Sequence, residues 1–220
     1  MAAPAPENPL DAQLAALSLV RGRPLVVVDA DEVLFHFMRG FESYLETQGC
    51  TIALTSFALA GNIRRVADDF VLTQAEVGDM LGNFFVSHTE TLAPVPGAAE
   101  ALADLSRRMQ VVVLSNLPLA QAPARRRALL AAGMDYPVIA NTGSKGGAVR
   151  RLADMAASPV AFVDDIPNHH GSVRRAVPEA FCVQFVADPR LAALVPRAPE
   201  CDLFADDWPQ IGAAIARRLG

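Results

Sequence analysis

Lysine is nearly absent from this chain. Eighteen of its nineteen basic residues are arginine, and Lys145 stands alone. Cysteine is scarce too: Cys50, Cys182 and Cys201 are odd in number, widely scattered and without a CxxC spacing. That pattern excludes a disulfide framework and reads as reduced thiols in a cytoplasmic protein. No apolar run approaches the roughly 20 residues a membrane span needs, so no membrane partner is expected. A basic surplus is also missing. The formal net charge of −5 argues against nucleic acid or an anionic lipid surface as the main partner. Residues 1–13 carry Glu7 and Asp11 with no basic residue, unlike a secretory signal. Internal repeats and long low-complexity segments are absent.

What is present is an ordinary globular composition over 220 residues, 52% hydrophobic and 20% charged, enough for one good core plus a small accessory unit. The most distinctive stretch is Leu25-Val26-Val27-Val28-Asp29-Ala30-Asp31. Its apolar run reads as a strand covered on both faces, as in the centre of a parallel sheet. The two carboxylates that follow are either a polar turn or the edge of a site, since ligands bind at the carboxyl ends of such strands.

Taken in order, residues 1–22 form a Pro/Ala-rich tail with a short helix over 11–19. After the first strand, the stretch from Val33 to Thr91 lacks β-rich runs, and helices are expected over 33–48, 55–68 and 73–87. The last opens on Thr73-Gln74-Ala75-Glu76, a capping-box spacing. The second half alternates. Strands are expected at 111–114, 137–140, 160–163, 181–186 and 203–204, with helices over 98–108, 118–132, 146–157, 169–176 and 208–218. Such alternation means βαβ units. The expected fold is α/β, a Rossmann-like three-layer parallel sheet core with an inserted all-helical cap. Residues 23–34 and 93–220 form the core, and 35–92 form the cap.

Four strands end in polar residues of a restricted kind: Asp29 and Asp31, Ser115 and Asn116, Lys145 beyond the third, and Asp164-Asp165. In a parallel sheet these ends converge on one edge. Hard oxygen donors, few histidines and no clustered cysteines favour Mg²⁺ over zinc. A carboxylate can also serve as a nucleophile towards phosphorus, and phosphoryl transfer chiefly needs alignment and charge neutralisation.

The order Asp29-x-Asp31, Ser115 after a hydrophobic strand, Lys145, then Asp164-Asp165 resembles the haloacid dehalogenase-like (HAD) superfamily. Pro94-Val95-Pro96-Gly97 looks like that superfamily's return from an inserted cap. The resemblance runs from Leu25 onward. It implies Asp29 as nucleophile, Asp31 as acid and base, and Ser115 with Asn116 as phosphoryl-binding donors. It implies Lys145 as the neutralising ammonium, and Asp165 as a Mg²⁺ ligand together with Asp29 and the Asp31 backbone carbonyl. An acid at position 31 fits phosphate-ester hydrolysis rather than dehalogenation. The function implied is a Mg²⁺-dependent phosphatase acting on a small phosphorylated metabolite, in an oligomeric state the sequence leaves open. A phosphomutase or other phosphoryl transferase, or a catalytically silent binding protein, are the alternatives.

Several positions depart from that superfamily. Glu32 and Asp164 stand where glycine is frequent, and His169 stands where some relatives carry a carboxylate, a role Asn168 could cover. His169 and His170 read mainly as a solvated turn, with contact to substrate as the other option, and Arg64-Arg65 mainly as a solvated helix face, with binding of a second anionic group of the substrate as the other. Phe35, Phe37, Phe41, Phe84 and Phe85 read mainly as the cap's own core, with a pocket lining as the other option.

Overall fold

A computed structural model describes residues 9–220. The expected tail falls partly outside them. Its described part forms α1 (Pro9–Ala15), shorter than expected and packed through the buried Leu14. The chain continues through β1 (Leu25–Val28), α2 (Phe37–Thr47), β2 (Cys50–Ile52), β3 (Ile63–Arg65) and α3 (Gln74–His88). Then come α4 (Ala98–Ser106), β4 (Gln110–Ser115), α5 (Ala122–Ala131), β5 (Val138–Ala140) and α6 (Gly146–Ala156). The last elements are β6 (Val160–Asp164), α7 (Pro167–Ala176), β7 (Phe181–Gln184), α8 (Pro189–Ala192), β8 (Leu203–Phe204) and α9 (Trp208–Leu219).

Six strands form one parallel sheet in the order β5-β4-β1-β6-β7-β8. β1 lies inside it, paired with β4 on one side and β6 on the other. Alternation along each strand sends side chains to two separate apolar layers. Val26, Val28, Val111, Val113, Ala161 and Val163 join the layer packed with α4, α5 and α9. Leu25, Val27, Val112, Leu114, Val160 and Phe162 join the layer packed with α1, α6 and α7. The result is the three-layer α/β core expected from the valine-rich runs.

Between β1 and α4 the chain leaves the sheet and comes back along its outgoing path. His36 donates its backbone N–H to Ala93 (2.9 Å) and Val95 donates to Leu34 (2.8 Å), so the two passages run side by side. The excursion carries α2 and α3, the latter closed by the anticipated Thr73–Glu76 capping box. It is not all helical. The helix expected over 55–68 is absent, and in its place β2 and β3 form an antiparallel hairpin. The reason is local. Asn62 is buried, and its side-chain amide donates to Ser56 O, Ser56 Oγ and Ala58 O while its oxygen accepts from Thr55 Oγ1. These side-chain bonds organise the loop before β3 in place of a helical backbone ladder. Gly61 at φ 86° and Asp69 at φ 54° then turn the chain in a left-handed conformation that no α-helix accommodates.

One glycine sets a spacing that matters for the site. A Cβ on Gly146 would lie 2.3 Å from the Ser172 carbonyl oxygen, so α6 and α7 approach each other closely only because residue 146 has no side chain. Gly146→Ala should therefore push the two helices apart at a cost of about 1–3 kcal/mol, as for other overpacked contacts. Thermal unfolding should show a drop of several degrees in Tm, and an unchanged Tm would mean the contact is slack.

Candidate active site

β1 ends at Val28, and Asp29 follows in register with the end of β6, where its backbone N–H donates to Val163 (2.9 Å). The neighbouring strands deliver Ser115 on one side and Asp164 and Asp165 on the other. Lys145 is the residue that caps the start of α6, and its side chain is fully buried. Its ammonium Nζ lies 2.8 Å from Asp29 Oδ1 and 2.7 Å from Asp164 Oδ2.

The carboxylates are in unlike surroundings. Asp164 is spent inside the protein. Besides Lys145, it accepts from the Ile166 backbone N–H (2.9 Å) and bonds His169 Nδ1 (3.0 Å). Asp29 Oδ1 takes both the ammonium and the Ala30 N–H (2.7 Å), which leaves Oδ2 free of protein partners among the described residues. Asp165 Oδ1 is buried and has no hydrogen-bond partner among the described residues. Asp31 turns to the other side. Its Oδ1 accepts from Arg125 Nη2 at 2.5 Å and its Oδ2 accepts from Ser115 Oγ at 3.3 Å.

These contacts separate the protonation behaviour of the groups. Burial alone would disfavour a charged Lys145, yet Asp164 and Asp29 outweigh it and hold the ammonium above its ordinary pKa. Burial also opposes ionisation of Asp164, but Lys145 and His169 overcome it and hold the carboxyl well below the usual range. For Asp29 the balance is reversed. Burial, helped by Asp164 and Asp31, pushes it up to about 6 against the pull of Lys145. Burial, then Asp164 and Asp29, raises Asp165 well above its ordinary value. One ammonium does not offset three buried carboxylates.

All six residues singled out from the sequence therefore meet. Asp29, Asp31, Asn116 and Asp165 line one cavity, Ser115 bonds Asp31, and Lys145 bonds Asp29. Asn116 is steered by its amide, which donates to Gly143 O (2.8 Å), and by its oxygen, which accepts from Asn141 (2.7 Å). His169 and His170 are buried rather than solvated, a correction to the expected turn. The helix begins at Pro167, two residues before the expected start, which carries both rings inward. His169 Nδ1 faces the Asp164 carboxylate and Nε2 faces the Asn116 amide (3.4 Å), an arrangement that assigns the proton to Nδ1. His170 Nε2 lies 3.0 Å from the Asp164 carbonyl oxygen, and burial keeps its pKa low. Asn168 is exposed and bonds none of the cluster among the described residues. Arg64 and Arg65 lie on β3 and not on the expected helix face, and they pair with Asp69 and Asp68 in the turn that follows and with Glu76 of α3.

Two participants were missed. Arg125 is fully buried, with its guanidinium on Asp31 and 5.1 Å from the centroid of the Phe35 ring. In the sequence it is hidden in the run Arg125-Arg126-Arg127. The readable signal was its spacing to Ala128 and Leu129, which places it on the buried face of α5. Glu32 is the other. It sits at φ 58°, a conformation that favours glycine. Its carboxylate accepts from the backbone N–H groups of Met38 (2.5 Å) and Asp188 (3.0 Å), and burial pushes it up to about 7 despite those amides.

The donor set fits a hard divalent cation. Asp29, Asp164 and Asp165 offer carboxylate oxygens that all lie within 4.8 Å of one another. Asp165 Oδ1 lacks a partner among the described residues, and the excess negative charge needs a cation. No helix among the described residues is long and apolar enough to cross a membrane.

The six-stranded parallel sheet with its excursion after β1 has the fold of solved structures described as haloacid dehalogenase-like proteins. Many solved structures share it. One is a haloacid dehalogenase-like protein from Agrobacterium tumefaciens, at TM-score 0.63 and 15% identity over 89% of this chain and 99% of that one. Another is a predicted phosphoglycolate phosphatase from Haemophilus somnus, at TM-score 0.61 and 16% identity over 90% and 99%. A third is CbbY from Rhodobacter sphaeroides in complex with xylulose 1,5-bisphosphate, at TM-score 0.54 and 17% identity over 86% and 96%. No family model matches the chain, and no curated protein matches it in sequence.

The raised carboxyls set a pH dependence for the metal-free protein. Asp29 and Glu32 bind protons more tightly folded than unfolded, so their stabilising contribution is complete below about pH 4 and is lost as pH rises through about 6 and 7. In EDTA, Tm should fall between pH 5 and pH 8, and millimolar Mg²⁺ should recover most of that fall at pH 8. A Tm that rises across the same range without metal would contradict these assignments.

Proposed function

We propose that the protein is a Mg²⁺-dependent phosphohydrolase that cleaves a small phosphomonoester through an aspartyl-phosphate on Asp29. One observation carries the reading. Two aspartates only two positions apart are held by different cations, Asp29 by Lys145 and Asp31 by Arg125. That split suits two different tasks.

In this reading Asp29 Oδ2 attacks phosphorus, and Lys145 keeps the attacking carboxylate oriented and offsets the charge that gathers there. Asp31, protonated at Oδ2 when the ester binds, gives that proton to the leaving oxygen, then takes one from the water that hydrolyses the acyl phosphate. Arg125 fixes Oδ1 of Asp31, leaving Oδ2 to exchange the proton. Ser115 Oγ, which bonds Asp31, and Asn116 Nδ2, which bonds Gly143 and faces His169, turn a hydrogen to phosphoryl oxygens when the ester enters. Asp29, Asp165 and the Asp31 backbone carbonyl would hold Mg²⁺, which supplies charge neutralisation to the phosphoryl group when bound. Asp164 belongs to the support instead, since Lys145, Ile166 and His169 occupy its oxygens. Residues 35–92 serve as a cap that covers the site and limits water.

Purified protein should hydrolyse p-nitrophenyl phosphate with Mg²⁺ and stop on addition of EDTA. Asp29→Asn should lower kcat by at least about a thousandfold, as expected for removal of a covalent nucleophile, with Tm preserved or raised. Activity within tenfold of wild type in that variant would rule out Asp29 as the nucleophile.

A further inference from the structure

The cavity over Asp29 and Asp31 has a volume of about 280 Å³, small for a ligand pocket. Its floor and its walls are chemically opposite. Carboxylates and Asn116 line the floor, while the wall contributed by the excursion consists of Phe37, Met38, Phe57, Leu59, Leu81 and Phe85. Three separate pieces supply them: α2, the loop organised by Asn62, and α3. The aromatic set of the excursion is thus divided. Phe41 and Phe84 are fully buried in its own core, whereas Phe37 and Phe85, 5.8 Å apart, face the cavity.

Cations are missing from that wall. The ionisable side chains lining the cavity are Asp29, Asp31, Glu32, Asp165 and His169, without a lysine or arginine. Nearby guanidiniums are engaged elsewhere. Arg190 bridges Asp188 and Glu42, Arg39 faces Asp188, and Arg64 and Arg65 pair with Asp69 and Asp68 after β3. A second phosphate, a carboxylate or a polyol bound above the phosphoryl site would lose its hydration without receiving a partner, a cost of several kcal/mol.

We infer that the organic part of the substrate is uncharged and apolar, a small aryl or branched alkyl group, and that the Phe37, Phe57, Leu81 and Phe85 wall selects it. The inference rests on the phosphohydrolase reading and narrows its substrate class. A phosphomonoester of this kind seats its one dianionic end on the polar floor, where Asp29, Asp165 and the Asp31 backbone carbonyl would hold Mg²⁺, and buries the remainder against rings and aliphatic chains.

The full chain with Mg²⁺ should be given benzyl phosphate and isobutyl phosphate beside phosphoglycolate and glycerol 3-phosphate, all alkyl esters of comparable intrinsic reactivity. The apolar pair should exceed the polar pair in kcat/KM by at least about 100-fold, in line with the penalty for unpaired polar groups in an apolar pocket. Leu81→Arg should lower kcat/KM for benzyl phosphate and raise it for phosphoglycolate. Wild-type kcat/KM for phosphoglycolate or glycerol 3-phosphate equal to or above that for benzyl phosphate would overturn the inference and leave the phosphohydrolase reading standing. Silence towards all four esters and towards p-nitrophenyl phosphate would instead overturn both.

Discussion

The buried ammonium of Lys145 is the contact on which the carboxyl edge of the sheet depends. It joins the end of β1 to the end of β6 by bonding Asp29 and Asp164 at once, and it does so with no exposed surface. A charge buried this completely is tolerated only when its partners are themselves fixed. Asp164 is fixed by the Ile166 amide and by His169, and His169 in turn reaches Asn116. The helix carrying Lys145 must also start close to α7, which is why residue 146 has no side chain and its N–H is received by Ser172 Oγ. The chain uses arginine everywhere else. At this position a planar fork would not fit between two carboxylates that already have other partners, whereas a compact ammonium does.

A second constraint joins the site to the excursion. Glu32 leaves the strand end in a left-handed turn that a non-glycine residue adopts at a cost. Its carboxylate receives the N–H of Met38 at the start of α2 and of Asp188 beside α8, and its own carbonyl accepts from Ala187. Asp188 then pairs with Arg190, which also bonds Glu42 of α2 with both guanidinium nitrogens. The turn after β1 is therefore tied to the first helix of the excursion by bonds rather than by packing alone. Where glycine would supply the conformation, glutamate supplies it together with two hydrogen bonds.

How much of this was legible follows from the kind of signal each feature leaves. Strands buried on both faces leave unbroken apolar runs, so β1, β4 and β6 and the residues at their ends could be read directly. Lys145 was legible because a composition can expose a singular residue. Arg125 was not, since a three-arginine run on a helix looks like a wet surface until its i+3 and i+4 neighbours are weighed. The hairpin at β2 and β3 was lost for a different reason. The loop between them is organised by one buried asparagine side chain, and a single asparagine carries no periodicity. With that loop taken for a helix, Phe57 and Leu59 could not be assigned to the cavity. The wall of the site was therefore less readable than its floor.

That difference has a physical basis. Groups on the floor answer to charge, and charge restricts both residue type and position: three carboxylates around one ammonium leave a definite excess that a divalent cation matches. Groups on the wall answer to shape and desolvation, which many apolar residues can satisfy. A leucine at position 81 or a phenylalanine at 85 is indistinguishable in sequence from a residue packed in the excursion's own core, as Phe84 is. Only the fold separates the two, by burying the Phe84 ring in that core and turning the neighbouring Phe85 to the cavity. The floor thus speaks to the chemistry at phosphorus, and the wall to the group attached to it.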